Sequence, residues 1–165
     1  MSNQQERPFL TWTKDENTMK KAADFIAEYE GLRLNSYRCA AGVLTIGYGH
    51  TAGVKEGDSI TLEKAVSFLD ADIRSVARYL ARFVNHEVTE GQFVALISLG
   101  FNLGAQKMVR TCPKLMMALN TGDISAAARE FLDCDKAGGK RLPGLTRRRK
   151  AESELFLSDF SGAEP

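Results

Sequence analysis

Two neighbouring stretches decide the reading: Glu30-Gly31-Leu32-Arg33-Leu34-Asn35-Ser36-Tyr37-Arg38-Cys39 and Gly42-Val43-Leu44-Thr45-Ile46-Gly47-Tyr48-Gly49-His50-Thr51. Upstream of them, Ala22, Ala23, Phe25, Ile26 and Tyr29 recur at helical spacing, and Gly31 is a natural helix stop. Beyond Gly31 the pattern changes. Short β-type runs, Ser36–Arg38 and Val43–Ile46, flank Ala40-Ala41-Gly42, which reads as a hairpin turn. Glu30 therefore stands at the end of a packed helix, immediately before a glycine-rich hairpin, where core and cleft meet.

Further along, Leu62, Val66, Leu69, Ile73, Val76 and Leu80 predict an apolar face on a helix over 61–83. Thr89-x-x-Gln92 has the form of a capping box. It opens a nearly all-apolar segment, Phe93, Val94, Leu96, Ile97 and Leu99, which predicts a buried central helix ended by Asn102 and Gly104. Residues 113–120, 123–133 and 146–157 read as three more helices, with Gly138-Gly139 and Pro143-Gly144 in the loop before the last. Residues 1–14 read as a loosely held N-terminal extension that Phe9, Leu10 and Trp12 tack onto the body. The expected class is mainly α with a small β-hairpin (α+β). Residues 15–165 form one domain, with a small lobe over 15–60 and a helical lobe over 61–158.

The chain has 165 residues, 44% of them hydrophobic and 26% charged, which suits one globular domain and argues against disorder. No apolar run is long enough to span a bilayer, and residues 1–14 lack a basic start followed by an apolar run, so neither membrane insertion nor a secretory signal is expected. Cys39, Cys112 and Cys134 are too few for a disulfide framework, and with His50 and His86 isolated there is no metal-ligand pattern; neither a metal nor a cofactor is expected. The net charge of +1 hides an asymmetry: residues 107–150 carry 11 positive and 4 negative charges. A basic C-terminal third suits an anionic partner: nucleic acid, a membrane surface or a cell-wall polymer.

Glu30 is either a desolvated proton donor, as glycoside cleavage requires at the leaving oxygen, or a surface carboxylate in a cap or ion pair. Cys39 is either a base or nucleophile once ionised, or a small buried hydrophobe. Thr45 can orient a water through its hydroxyl, or simply serve as a β-branched strand residue. His50 follows Gly47-Tyr48-Gly49, which is no phosphate loop; it is a base, a substrate contact or the anchor of a loop. In Arg147-Arg148-Arg149-Lys150, Glu152 lies four residues beyond Arg148, which favours an ion-paired helix face over nucleic-acid binding. Asn102 is a candidate hydrogen-bonding contact at a cleft rim, or a helix cap.

Taken together, Glu30-Gly-x-Arg-Leu-x-x-Tyr37 and Gly42-Val-x-Thr-Ile-Gly-Tyr-Gly-His-Thr51 resemble the phage-type lysozymes (glycoside hydrolase family 24, endolysins). Phe101-Asn-Leu-Gly104, Leu119-Asn-x-Gly-Asp123, Gly138-Gly-Lys140 and Gly144-Leu-x-x-Arg-Arg149-x-x-Glu152 extend the likeness in order from Phe25 to Leu157. The resemblance implies a two-lobed lysozyme-like fold with a small β-hairpin lobe and a helical C-terminal lobe. It also implies a muramidase that hydrolyses the β-1,4 bond between N-acetylmuramic acid and N-acetylglucosamine in peptidoglycan. The family's catalytic pattern, Glu, then Asp nine residues on, then Thr six further, falls on Glu30, Cys39 and Thr45, with Cys in place of Asp. Arg148, Asn102 and His50 are the expected substrate-side residues, and one arginine of the Arg148-Arg149 pair is expected to reach Glu30. The likeness further implies a monomer made in the host cytoplasm that acts on periplasmic peptidoglycan after holin-dependent release or injection. The alternative is a wall-binding module with little or no catalysis.

Overall fold

The computed structural model describes residues 7–137 and 140–159. Gly138 and Gly139 of the glycine motif, residues 1–6 of the expected extension and the end of the chain lie outside the described residues. A short helix α1 (Pro8–Thr11) runs through a 3₁₀ turn (Trp12–Lys14) into α2 (Glu16–Glu30). Asp15 caps α2 by accepting from the Thr18 amide, and Gly31 ends it. Then come strands β1 (Arg33–Arg38) and β2 (Leu44–Gly47), and helices α3 (Leu62–Leu80) and α4 (Glu90–Leu103). Helices α5 (Ala105–Thr111), α6 (Pro113–Asn120) and α7 (Ile124–Phe131) follow, then strands β3 (Lys136–Ala137) and β4 (Lys140–Arg141), and helix α8 (Pro143–Leu157).

Helix α4 is the centre of the molecule. Every residue from Gly91 to Gly100 is buried. The capping box forms as expected: the Thr89 hydroxyl accepts from the Gln92 amide, and the Gln92 side chain accepts from the Thr89 amide. Such a helix is stable only when neighbours cover it all round, and α2, α3, α5 and α8 do so. Gly100 makes one of these approaches possible, since a Cβ there would sit 2.8 Å from a Val76 methyl. Full burial of a side chain such as Phe93, Leu96, Ile97 or Leu99 contributes roughly 2 kcal/mol.

Met19, Ala22 and Ile26 place the inner face of α2 in the same core cluster as α4. The small β unit thus begins only after Gly31, and α2 packs as part of the helical body. The extension also contributes to the core. Phe9 is 1% exposed with its ring 5.0 Å from that of Phe93, Trp12 donates its indole N–H to the Val88 carbonyl, and Arg7 donates to the Ala81 carbonyl. Residues 7–14 are therefore held in place rather than loosely attached.

Strands β1 and β2 pair antiparallel, with Tyr37 opposite Thr45 and Arg38 opposite Leu44. The register shifts between Arg33 and Tyr37, where the other edge of β1 is paired by residues 58–60: Ser36 donates to the Asp58 carbonyl, and the Ile60 amide to the Leu34 carbonyl. Ile46 is buried at the base of this hairpin, and β2 rests on α3.

Three expectations need correction. Leu62 and Val66 are about half exposed, at 51% and 49%, because the first turns of α3 have no helix over that side; the buried stripe runs Ala65, Leu69, Ile73, Ala77, Leu80. Tyr29 is exposed rather than packed on the core face of α2. Pro143 and Gly144 belong to α8, where Pro143 fills the first helical position, whose amide would have no helical partner in any case. Helix α5 and the two-residue strands β3 and β4 are too short to leave a periodicity in the sequence.

Candidate active site

Glu30 is the last residue of α2, and its side chain is 19% exposed. Arg148, on α8, donates from Nη1 to Glu30 Oε1 at 2.6 Å. The guanidinium of Arg148 is itself enclosed. Its Nε donates to Glu152 Oε1 at 3.2 Å, its Nη2 donates to the Ser98 carbonyl at 3.2 Å, and its plane lies over the Tyr29 ring at 5.4 Å. Ser98 in turn donates to Glu152 Oε1 at 2.9 Å, and Arg149 pairs with Glu152 Oε2 at 3.1 Å. Two arginines, a glutamate and a serine thus tie α8 to α4 in a fully buried cluster with Glu30 at its outer edge. Burial pushes the Glu152 carboxyl up to about 7, against the pull of Arg149 and Arg148.

Of the arginine run, Arg148 and Arg149 are buried, and only Arg147 and Lys150 face solvent. Arg148 holds Glu30, as expected of one arginine of the pair. Asn102, at the end of α4, accepts from Arg149 through Oδ1, so it steadies the cluster. It also lines an open depression of about 480 Å³ shared with Tyr29, Glu30, Leu145, Arg147 and Arg148. Tyr29 and Arg147 were not singled out as site residues in the sequence. The one available signal was adjacency, since each neighbours a residue that was.

The hairpin closes on the same carboxyl. At Gly49 (φ +89°) a Cβ would lie 3.4 Å from Glu30 Oε2 and 3.8 Å from the Phe101 ring, so the backbone here passes directly over the acid in a conformation that side chains disfavour. His50 fixes this turn. Its amide and carbonyl exchange hydrogen bonds with Ile46. Its Nδ1 lies 2.7 Å from Asp72 Oδ2 and its Nε2 2.9 Å from the Ala52 carbonyl. Its ring stacks on Phe68 at 4.0 Å. Both ring nitrogens are thus engaged within the protein, and His50 anchors the loop.

Thr45 and Cys39 sit further along the hairpin. Thr45 is buried on β2, and its hydroxyl donates to the Val43 carbonyl at 2.9 Å. Cys39 is half-buried at the start of the turn, where its amide donates to the Val43 carbonyl at 3.0 Å. The backbone amides of Val43 and Ala41 hold the thiol below its ordinary pKa; burial works the other way, and the Thr45 hydroxyl adds a smaller pull downward. A hydroxyl has one proton, so Thr45 serves either Val43 or the Cys39 sulfur at a given moment. Four residues separate Thr45 from Gly49, a span of at most about 14 Å even if fully extended. The hairpin that passes over Glu30 therefore also carries Cys39 and Thr45.

The family model for phage lysozyme matches residues 27–152, which includes every residue of this arrangement. The chain belongs to the phage lysozyme family. An endolysin of Acyrthosiphon pisum secondary endosymbiont phage 1 is 45% identical over 143 residues, covering 84% of this chain and 97% of the relative. Among solved structures, the muramidase domain of SpmX from Asticaccaulis excentricus superposes with a TM-score of 0.76 at 30% identity, covering 84% of this chain and 95% of that one. An endolysin from Escherichia coli O157:H7 phage FAHEc1 gives 0.74 at 29% identity, covering 85% and 92%. The mainly helical fold with its small hairpin is that of these lysozymes.

Proposed function

We propose that Glu30, Cys39 and Thr45 carry the hydrolysis of the β-1,4 bond between N-acetylmuramic acid and N-acetylglucosamine. The chain is a lysozyme, a glycoside hydrolase that lyses peptidoglycan. The observation that supports the residue assignment best is the two-sided enclosure of the Glu30 carboxyl. Arg148 holds one oxygen from the helical body, and the Gly49 turn lies against the other from the hairpin.

In this scheme the sugar chain lies along the hairpin with its scissile oxygen at Glu30. Glu30 delivers a proton to the leaving oxygen as positive charge develops on the sugar. The Cys39 thiolate, on the other side of the bond, draws a proton from water, and the Thr45 hydroxyl orients that water. A water between the two groups gives inversion, which needs a separation of roughly 6.5 to 9.5 Å. Direct attack by sulfur would give retention instead, and proton NMR of the first-formed anomer separates the two. Asn102 and the rim around Leu145 offer contacts to the neighbouring sugar.

The chain acts on peptidoglycan once released. We place its synthesis in the host cytoplasm, its state as a monomer, and its exit through a holin or an injection device. Among the described residues no helix is long and apolar enough to cross a membrane. The burial of Arg148 and Arg149 argues against nucleic acid as a partner. The presence of Cys39 where the family pattern has Asp supports a second reading, a wall-binding module of low activity. Turbidity loss of permeabilised Gram-negative cells, measured beside Glu30→Gln, separates them. The enzyme clears the suspension and the variant does not, whereas a binding module leaves both suspensions turbid.

A further inference from the structure

Cys112 and Cys134 take no part in the chemistry above, yet their sulfur atoms lie 2.7 Å apart, closer than unbonded sulfurs usually approach. Cys112 occupies the joint between α5 and α6, and Cys134 lies just beyond α7, a separation of 22 residues in sequence. The pair lines a depression of about 250 Å³ with Thr111, Lys114 and Glu130, so a small molecule can reach it. Behind it stands the buried Arg149, whose cation acts on both sulfurs and whose Nε has no hydrogen-bond partner. We infer that Cys112 and Cys134 form a dithiol site that reacts with thiol-oxidising disulfides, closing to an intramolecular bond.

The two thiols are not equivalent. Cys112 is lowered by its contact with Cys134 and also by Thr111 and Arg149, while burial opposes the shift. Cys134 is raised by the same contact and by burial, and its thiol donates to the Glu130 carbonyl at 3.5 Å. The thiolate is the nucleophile in thiol–disulfide exchange. The thiolate of one of the pair attacks one sulfur of the oxidant, whose S–S bond breaks and releases the other half as a thiolate. The other thiol then loses its proton to that thiolate and attacks the first sulfur, expelling the second half. Two protein thiols and one oxidant disulfide become one protein disulfide and two free thiols. Disulfides persist outside the reducing cytosol, and peptidoglycan is met there.

The test uses the full chain with oxidised glutathione at about pH 8. Titratable thiols are expected to fall from the three of the sequence to one. Peptide mapping should join Cys112 to Cys134 with the loss of two hydrogens, and Tm should rise by roughly 5 to 10 °C. Cys134→Ser should hold glutathione on Cys112, and Cys112→Ser should hold it on Cys134. Three thiols persisting after oxidation, a bond that involves Cys39, or bonds only between molecules would overturn the inference. The mass measurement on the unaltered chain decides the matter even if a serine variant fails to fold.

Discussion

Arg148 Nη1 meets Glu30 Oε1 at 2.6 Å, although 118 residues separate them in sequence. This one contact binds the end of α2 to α8. Removing the guanidinium takes away one of the two arginines that face the buried Glu152 and frees Glu30. Arg148→Ala should lower the unfolding free energy by about 3 to 5 kcal/mol and abolish lysis. Arg148→Lys keeps the charge without the fork, so it should recover part of the stability but little activity. Denaturant unfolding and a turbidity assay report both. Wild-type stability and activity in the Arg148→Ala, Arg149→Ala double variant would remove this role.

The Cys39 thiol is held below its ordinary value by the amides of Val43 and Ala41. Its thiolate therefore forms on the acid side of the usual pKa of about 8.5. A rate that needs the thiolate rises with pH through that lowered value. Cys39→Asp should move the rising limb to lower pH and keep or improve activity. Cys39→Ser should nearly abolish it. A profile flat from about pH 5 to 8, with Cys39→Ser as active as the parent, would mean that the sulfur is a bystander.

His50 anchors the turn that passes over Glu30. His50→Ala leaves Asp72 without its partner and removes the stack on Phe68. The expected loss is about 1.5 to 3 kcal/mol, a drop in Tm of several degrees. The KM should rise as the turn loosens. Calorimetry with saturation kinetics checks this; unchanged stability with lost activity would point instead to direct substrate contact.

Phe9 tests the N-terminal segment. Phe9→Ala should cost about 3 to 5 kcal/mol, as expected for an emptied core position rather than a mobile arm. A loss below about 1 kcal/mol, the scale of an exposed site, would mean that α1 is dispensable.

Much of this was legible in the chain. The glycines around Glu30 and the hairpin signalled a sharp change from period 3.6 to period 2, and the capping box at Thr89 marked the start of the central helix. The Glu152 partner of Arg148 followed from helical spacing alone. Three things were not legible. Leu62 and Val66 repeat on the same stripe as Leu69, but periodicity cannot say where the neighbouring helices stop covering it. The burial of Arg148 and Arg149 depends on Ser98 and Glu30, residues distant in sequence. The meeting of Cys112 with Cys134 depends on how α5, α6 and α7 fold back, and α5 is too short to announce itself.

The most direct test of the account is muropeptide analysis of purified sacculi digested by the wild-type chain and by Glu30→Gln. The wild-type chain should release fragments that carry a reducing N-acetylmuramic acid, and the variant should release them roughly 10² to 10⁴ times more slowly. Reducing N-acetylglucosamine ends, or equal release by the variant, would contradict it.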